Sequence, residues 1–123
     1  MKIEIELPGV VTPSGNQIKR WLYKGQTWRL SKLKELYRPI LSICSVHYKA
    51  EEGERRRVEF HSHRKRKIDD DNLIDGFKYL RDMLRVVGLI WEDSPKYLEA
   101  EYFQYTDRKN VKTRLIIESM EEE

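Results

Sequence analysis

The stretch from Ile68 to Lys96, IDDDNLIDGFKYLRDMLRVVGLIWEDSPK, opens and closes with carboxylates and carries a helical apolar period between them. Leu73, Phe77, Leu80, Leu84 and Val87 recur at intervals of three and four. That spacing predicts one amphipathic helix, entered at Asp71, whose apolar face is buried against a sheet. Gly88 follows the last periodic residue as a C-terminal cap, and Leu89-Ile90-Trp91 is a short apolar segment before the turn at Ser94-Pro95. Asp69, Asp70 and Asp71 thus stand at the helix entrance and Glu92-Asp93 beyond its exit. The second acidic group reaches the first only where the returning segment folds back alongside the helix, and this is the expected course of the chain.

A single carboxylate at a helix N-terminus needs no functional explanation, since a cap of this kind stabilises by about 0.5–2 kcal/mol. Three in succession exceed what capping requires, because like charges repel unless a cation neutralises them. Hard oxygen donors with no cysteine nearby favour magnesium or manganese over zinc, and magnesium keeps several waters while taking one or two carboxylates. An EF-hand is excluded, because a loop starting at Asp71 would need an oxygen ligand where Leu73 stands.

Asp69-Asp70-Asp71-Asn72-Leu73, a helix, and then Gly88-Leu89-Ile90-Trp91-Glu92-Asp93-Ser94 resemble the RusA family of Holliday-junction resolvases. The family signature is D-x-D-N-L, a helix, then a glycine and a pair of acids. The strong resemblance covers about a quarter of the chain; Leu7-Pro8, Pro13-Ser14 and Asn16 are similar to the family's first strand and loop. It implies a homodimeric, magnesium-dependent endonuclease that cuts branched DNA by paired symmetric nicks and leaves 5′-phosphate and 3′-hydroxyl ends. It also implies that Asp69, Asp71 and Asp93 are the catalytic, metal-holding acids and that Asn72 is the adjacent amide. The family's helix lysine falls where this chain has Asp75, so Lys78 is the nearest candidate for that role, with Lys96 beside Asp93 as a second.

The formal net charge is only +3, but the charges are unevenly placed. Between residues 55 and 67, seven cations (Arg55, Arg56, Arg57, Arg64, Lys65, Arg66 and Lys67) face the one carboxylate of Glu59, a local balance of +6. This strip runs directly into the acidic cluster. A phosphodiester repelled by carboxylates is drawn in by such a neighbouring strip together with a metal, so the strip is expected to track a DNA backbone. Glu121-Glu122-Glu123 is expected to be a solvated tail.

The length suits one domain over residues 1–123. No run of eighteen apolar residues occurs, and MKIEIELPG builds no signal-peptide core, so a soluble, cytoplasmic protein away from the membrane is expected. The lone Cys44 has no partner for a disulfide or a cysteine-type zinc site and reads as a core filler.

Lys2–Leu7 alternates as a half-buried strand ending at Pro8-Gly9, and Pro13–Asn16 is a turn. Arg20–Tyr23 and Thr27–Leu30 flank Lys24-Gly25 as a small hairpin. Its aromatics Trp21, Tyr23 and Trp28 interleave with Lys19, Arg20, Lys24 and Arg29, a composition suited to stacking on unpaired bases, although covering a sheet or a dimer contact is the commoner use. Ser31 is a candidate cap for a helix through Leu33, Leu36, Tyr37, Ile40, Leu41 and Cys44, which Pro39 should kink or divide. Ala50–Glu54 is a polar turn. Arg57–His63 is a second strand with His61 and His63 on one side, expected to be exposed strand residues and not zinc ligands. Tyr97–Tyr105 and Val111–Ser119 are β-rich runs that the turn at Thr106–Asn110 should join as a hairpin. The whole gives an α+β domain with a mixed sheet and helices packed on it.

Three function classes follow. The first is the metal-dependent endonuclease on branched DNA. The second is a binding module for branched nucleic acid in which the acids are only helix caps. The third is a structural protein, since 37% charged residues can produce clusters by chance.

Overall fold

The computed structural model describes residues 1–120, so the expected acidic tail lies outside the described residues. The elements run β1 (Lys2–Pro8), α1 (Gly15–Tyr23), α2 (Trp28–Tyr48), β2 (Arg56–Arg64), α3 (Asp70–Gly76), α4 (Lys78–Val87), β3 (Leu98–Thr106) and β4 (Lys112–Ser119). The four strands form one mixed sheet in the order β1-β4-β2-β3, giving the α+β class expected. β4 is antiparallel to both β1 and β2, whereas β2 and β3 are parallel. Hence β1, β2 and β3 all point the same way, and the loops leaving them emerge at one edge of the sheet.

The sheet buries one face beneath the helices. Ile5, Leu7, Val58, Phe60, Leu115 and Ile117 from the strands join Tyr37, Leu41, Phe77, Leu80 and Leu84 from the helices in one apolar cluster, and Cys44 packs at its margin. Phe60 lies with its ring centroid 5.1 Å from that of Phe77 and 5.1 Å from that of Tyr102, at the centre of the contact. No helix among the described residues is long and apolar enough to cross a membrane.

Four expectations are corrected. The hairpin over residues 20–30 is instead the end of α1 and the start of α2. The Ser14 hydroxyl accepts from the Gln17 amide and caps α1, and Gly25, at φ +70°, turns the chain between the helices. Aromatic content pointed to strands, but the spacing Ile18, Trp21, Leu22 is helical. α2 begins before Ser31 and runs unbroken for 21 residues through Pro39. Pro39 is exposed, so water can serve the carbonyl whose amide partner the proline removes.

The third correction concerns the acidic helix, which is two helices and not one. Phe77 departs from regular α geometry, its amide bonding back to Ile74 at 3.1 Å. Gly76 is pressed against the loop before α1: a Cβ built on it would stand 1.9 Å from the Pro13 carbonyl oxygen. The fourth concerns β3 and β4, which are not a hairpin. β2 lies between them and pairs with both. The Asp107 carboxylate does hold a turn, accepting from the Lys109 and Asn110 amides, but the Asp107 amide donates to the Arg64 carbonyl at 2.7 Å. Stepping over one strand requires about 9.6 Å, within the reach of the five linking residues.

Candidate functional site

The acidic segment is held at the sheet edge beyond the end of β2. Gln104 on β3 grips the backbone of Ile68 from both sides, its Oε1 accepting from the Ile68 amide at 3.0 Å and its Nε2 donating to the Ile68 carbonyl at 2.7 Å. Lys65-Arg66-Lys67 is thereby a short exposed bridge between β2 and the clamp, and Asp69 emerges immediately after it. Asp69 occupies the N-cap position of α3 without using its side chain to cap, and its carbonyl accepts from the Leu73 amide at 2.9 Å. The carboxylates of Asp69, Asp70 and Asp71 are all exposed. None of them is hydrogen-bonded or ion-paired among the described residues.

Unengaged carboxylate oxygens of this kind suit a hard divalent cation that takes one or two protein ligands and keeps its waters. Asp69 and Asp71 fit that donor set. Among the described residues no three His, Cys, Asp or Glu side chains form a metal-holding group. The segment after α4 folds back alongside the helix to its first turn, where the Nε of Arg81 stands 3.5 Å from the Asp93 carboxylate. Arg81 also donates to the Tyr102 hydroxyl.

Asn72 has a structural engagement of its own, its Oδ1 accepting from the Asn16 amide at 2.8 Å and so tying α3 to the start of α1. Lys78 opens α4 on the far side of the break at Phe77, so it does not lie on one continuous helix with Asp71. It is exposed and lines a cavity of about 270 Å³ with Lys19, Leu22, Asp75, Tyr79 and Arg81. Lys96 lies over the ring of its neighbour Tyr97, 5.2 Å from the centroid.

The basic strip from Arg55 to Lys67 divides into two kinds of residue. Arg56 is 3% exposed and spends its guanidinium on the Glu54 carboxylate and on the carbonyls of Tyr48, Lys49 and Leu89, which end α2 and follow α4. Arg57 pairs with Glu101 at 2.8 Å and Glu59 at 3.5 Å on the open face of the sheet. Arg64 is 8% exposed and donates through Nη1 to the hydroxyls of Thr12 and Ser62. Arg56 and Arg64 are therefore buried, and Arg57 is half-buried but ion-paired, so these three are not a track of free cations. Arg55, Lys65, Arg66 and Lys67 are exposed, and no acid pairs with them among the described residues.

His61 is also not the exposed strand residue expected. It is 6% exposed, stacked on Phe103 with 4.6 Å between ring centroids, and bonded to Glu59 and the Tyr105 hydroxyl. His63 stacks on Tyr105 and accepts from Arg114 Nε at 2.9 Å. Trp21 and Trp28 flank Arg29 at the α1–α2 corner, with the guanidinium 5.6 and 4.7 Å from their ring centroids, and Tyr23 beside them is 92% exposed. They sit on a helical corner and not on the sheet.

Two residues that organise the site carry no motif signal. Gln104 sits among alternating strand residues, where only its amide at an inward position hinted at a buried partner. Arg81 falls on the flank of an amphipathic helix, where an arginine is ordinarily solvated. Set against known proteins, the chain matches no family model and no curated protein.

Proposed function

We propose that this protein is a magnesium-dependent endodeoxyribonuclease of the RusA type, which resolves four-way junctions in the cytoplasm as a homodimer making two symmetric nicks. The observation that carries the reading is the juxtaposition of three unengaged carboxylates, Asp69 to Asp71, with the exposed Lys65-Arg66-Lys67 bridge, both positioned by the Gln104 clamp. A bridge of free cations draws in a phosphodiester backbone, and the carboxylates stand immediately beyond it. Asp69 and Asp71 would hold magnesium, or manganese in its place. A cation bound there supplies a water of lowered pKa and offsets charge on the reacting phosphate. Lys78, across the α1–α4 cavity, is the proposed lysine that steadies the phosphate.

A second reading, a branched-DNA-binding protein that does not cut, is favoured by one observation: Asp93 is paired with Arg81, and no three acids form a metal-holding group among the described residues. One experiment separates the two. A labelled mobile four-way junction, a flap and a linear duplex are incubated with the protein, with and without magnesium. Junction cleavage that requires the metal supports the nuclease; junction binding without cleavage in any divalent metal supports the binder, and neither binding nor cleavage rejects both.

A further inference from the structure

Arg64 is a buried cation with no acid to answer it among the described residues. It is 8% exposed, and its partners are two hydroxyls, Ser62 at 3.2 Å and Thr12 at 3.4 Å, both bonded through Nη1. A buried charge costs several kcal/mol unless it is paired, and buried arginines ordinarily meet a carboxylate. Arg56, at the other end of the same strand, has Glu54 for that purpose. For Arg64 burial alone acts, holding its guanidinium below the ordinary arginine range.

The unused donors of Arg64 are not sealed in protein. They border a cavity of about 550 Å³ whose other walls are Val11, Lys65, Arg66, Ile68 and Val111. Arg64, Lys65 and Arg66 thus share with aliphatic side chains the lining of this open chamber. Its size falls in the range of small-molecule sites, about 300–1,000 Å³, and its chemistry suits a ligand with an anionic end and a remainder that packs on aliphatic side chains. It also lies one residue from Asp69, at the edge where the loops leaving β1 and β2 meet.

We propose that this chamber receives one unstacked nucleotide of the branched DNA, its phosphate on Arg64 and its base between Val11, Ile68 and Val111. The proposal rests on the DNA-binding reading above and is independent of whether the protein cuts. Extruding a base costs a few kcal/mol, and least where the base is already unpaired, so a branch point is the site at which the pocket is most easily filled. It would make the protein sensitive to the junction's centre rather than to duplex DNA.

The test uses a four-way junction with 2-aminopurine at the branch point, in EDTA so that no cleavage intervenes. Binding is followed by anisotropy and unstacking by 2-aminopurine fluorescence, which aliphatic walls do not quench. Wild-type protein is expected to bind and to raise the fluorescence. Val111→Phe, which fills the chamber and leaves every cation in place, is expected to bind within about twofold of wild type and to lose the rise. Arg64→Met is expected to lose the rise and bind roughly tenfold more weakly, about 1.4 kcal/mol. A bound junction whose fluorescence does not rise, or a rise that survives Val111→Phe, overturns the pocket alone. Failure of wild type to bind the junction overturns the DNA reading and the pocket with it.

Discussion

Arg56 donates to three backbone carbonyls and one carboxylate from a position that is 3% exposed, and so closes the ends of two helices with one side chain. Replacing it by methionine leaves those carbonyls without donors and Glu54 without its cation. The expected loss is about 3 kcal/mol of unfolding free energy in a urea titration, with no change in the salt dependence of DNA binding. His63 gives a second test at this scale. Burial first, and then the positive charges of Arg114 and Lys112, hold its imidazole below the ordinary value of 6.5. The unfolded chain therefore takes up this proton at higher pH than the native state does. Stability from the neutral ring is complete above 6.5 and lost as the pH falls through the lower, folded value. Glu54 and Asp82, also held low, act further down: burial opposes the shift at Glu54 but hydrogen bonds led by Arg56 prevail, and at Asp82 the bond from Lys34 leads. His63→Gln should flatten the decline in thermal midpoint that sets in as the pH falls below about 6.5, and leave the carboxylate-driven decline at still lower pH in place. Sequence reading could not separate the charges that do structural work from those facing solvent. Charge counts carry no burial, and Arg56, Arg57 and Arg64 differ from Lys65 and Arg66 only in which neighbours the sheet supplies.

At the scale of elements, the four strands and the face of the acidic helix were legible, because both depend on local alternation or helical period. The pairing of β3 was not. A turn signal at Asp107 is satisfied equally by a hairpin and by a step over β2, and only the parallel crossover through α3 and α4 decides between them. The break at Phe77 was illegible for a related reason: its cause, the Gly76 backbone against Pro13, lies more than sixty residues away in the chain. It yields a firm prediction. Gly76→Ala places a methyl group where the Pro13 carbonyl oxygen stands, at 1.9 Å, so α3 and the loop before α1 must part. The variant should lose several kcal/mol in chemical denaturation and show amide exchange faster in α1 and α3 than in β2. Intact protection across α1 would mean that the two backbones do not press on each other there.

For the whole molecule, the acids and the cations act in opposite directions on DNA, and this opposition gives the most discriminating comparison. Lys65, Arg66 and Lys67 are exposed and unpaired among the described residues, so converting all three to glutamine should weaken binding to junction and linear duplex alike. It should also flatten the plot of log affinity against log salt by about one unit for each phosphate no longer neutralised. Asp71→Asn removes a negative charge from the surface that meets the phosphate, so junction binding in EDTA should hold or tighten. If Asp69 and Asp71 hold the cation, the same change should abolish magnesium-dependent nicking, and Asp70→Asn should retain it. Asp93→Asn is expected to abolish nicking as well, and it carries a second consequence, since Arg81 then loses its 3.5 Å partner. Arg81→Gln, which frees Asp93 without removing it, distinguishes the two roles. A rate that rises with Arg81→Gln would mark the ion pair as a restraint on the third acid. Nicking that survives Asp93→Asn would instead confine the chemistry to the two acids at the entrance of α3, leaving Asp93 a structural partner of Arg81.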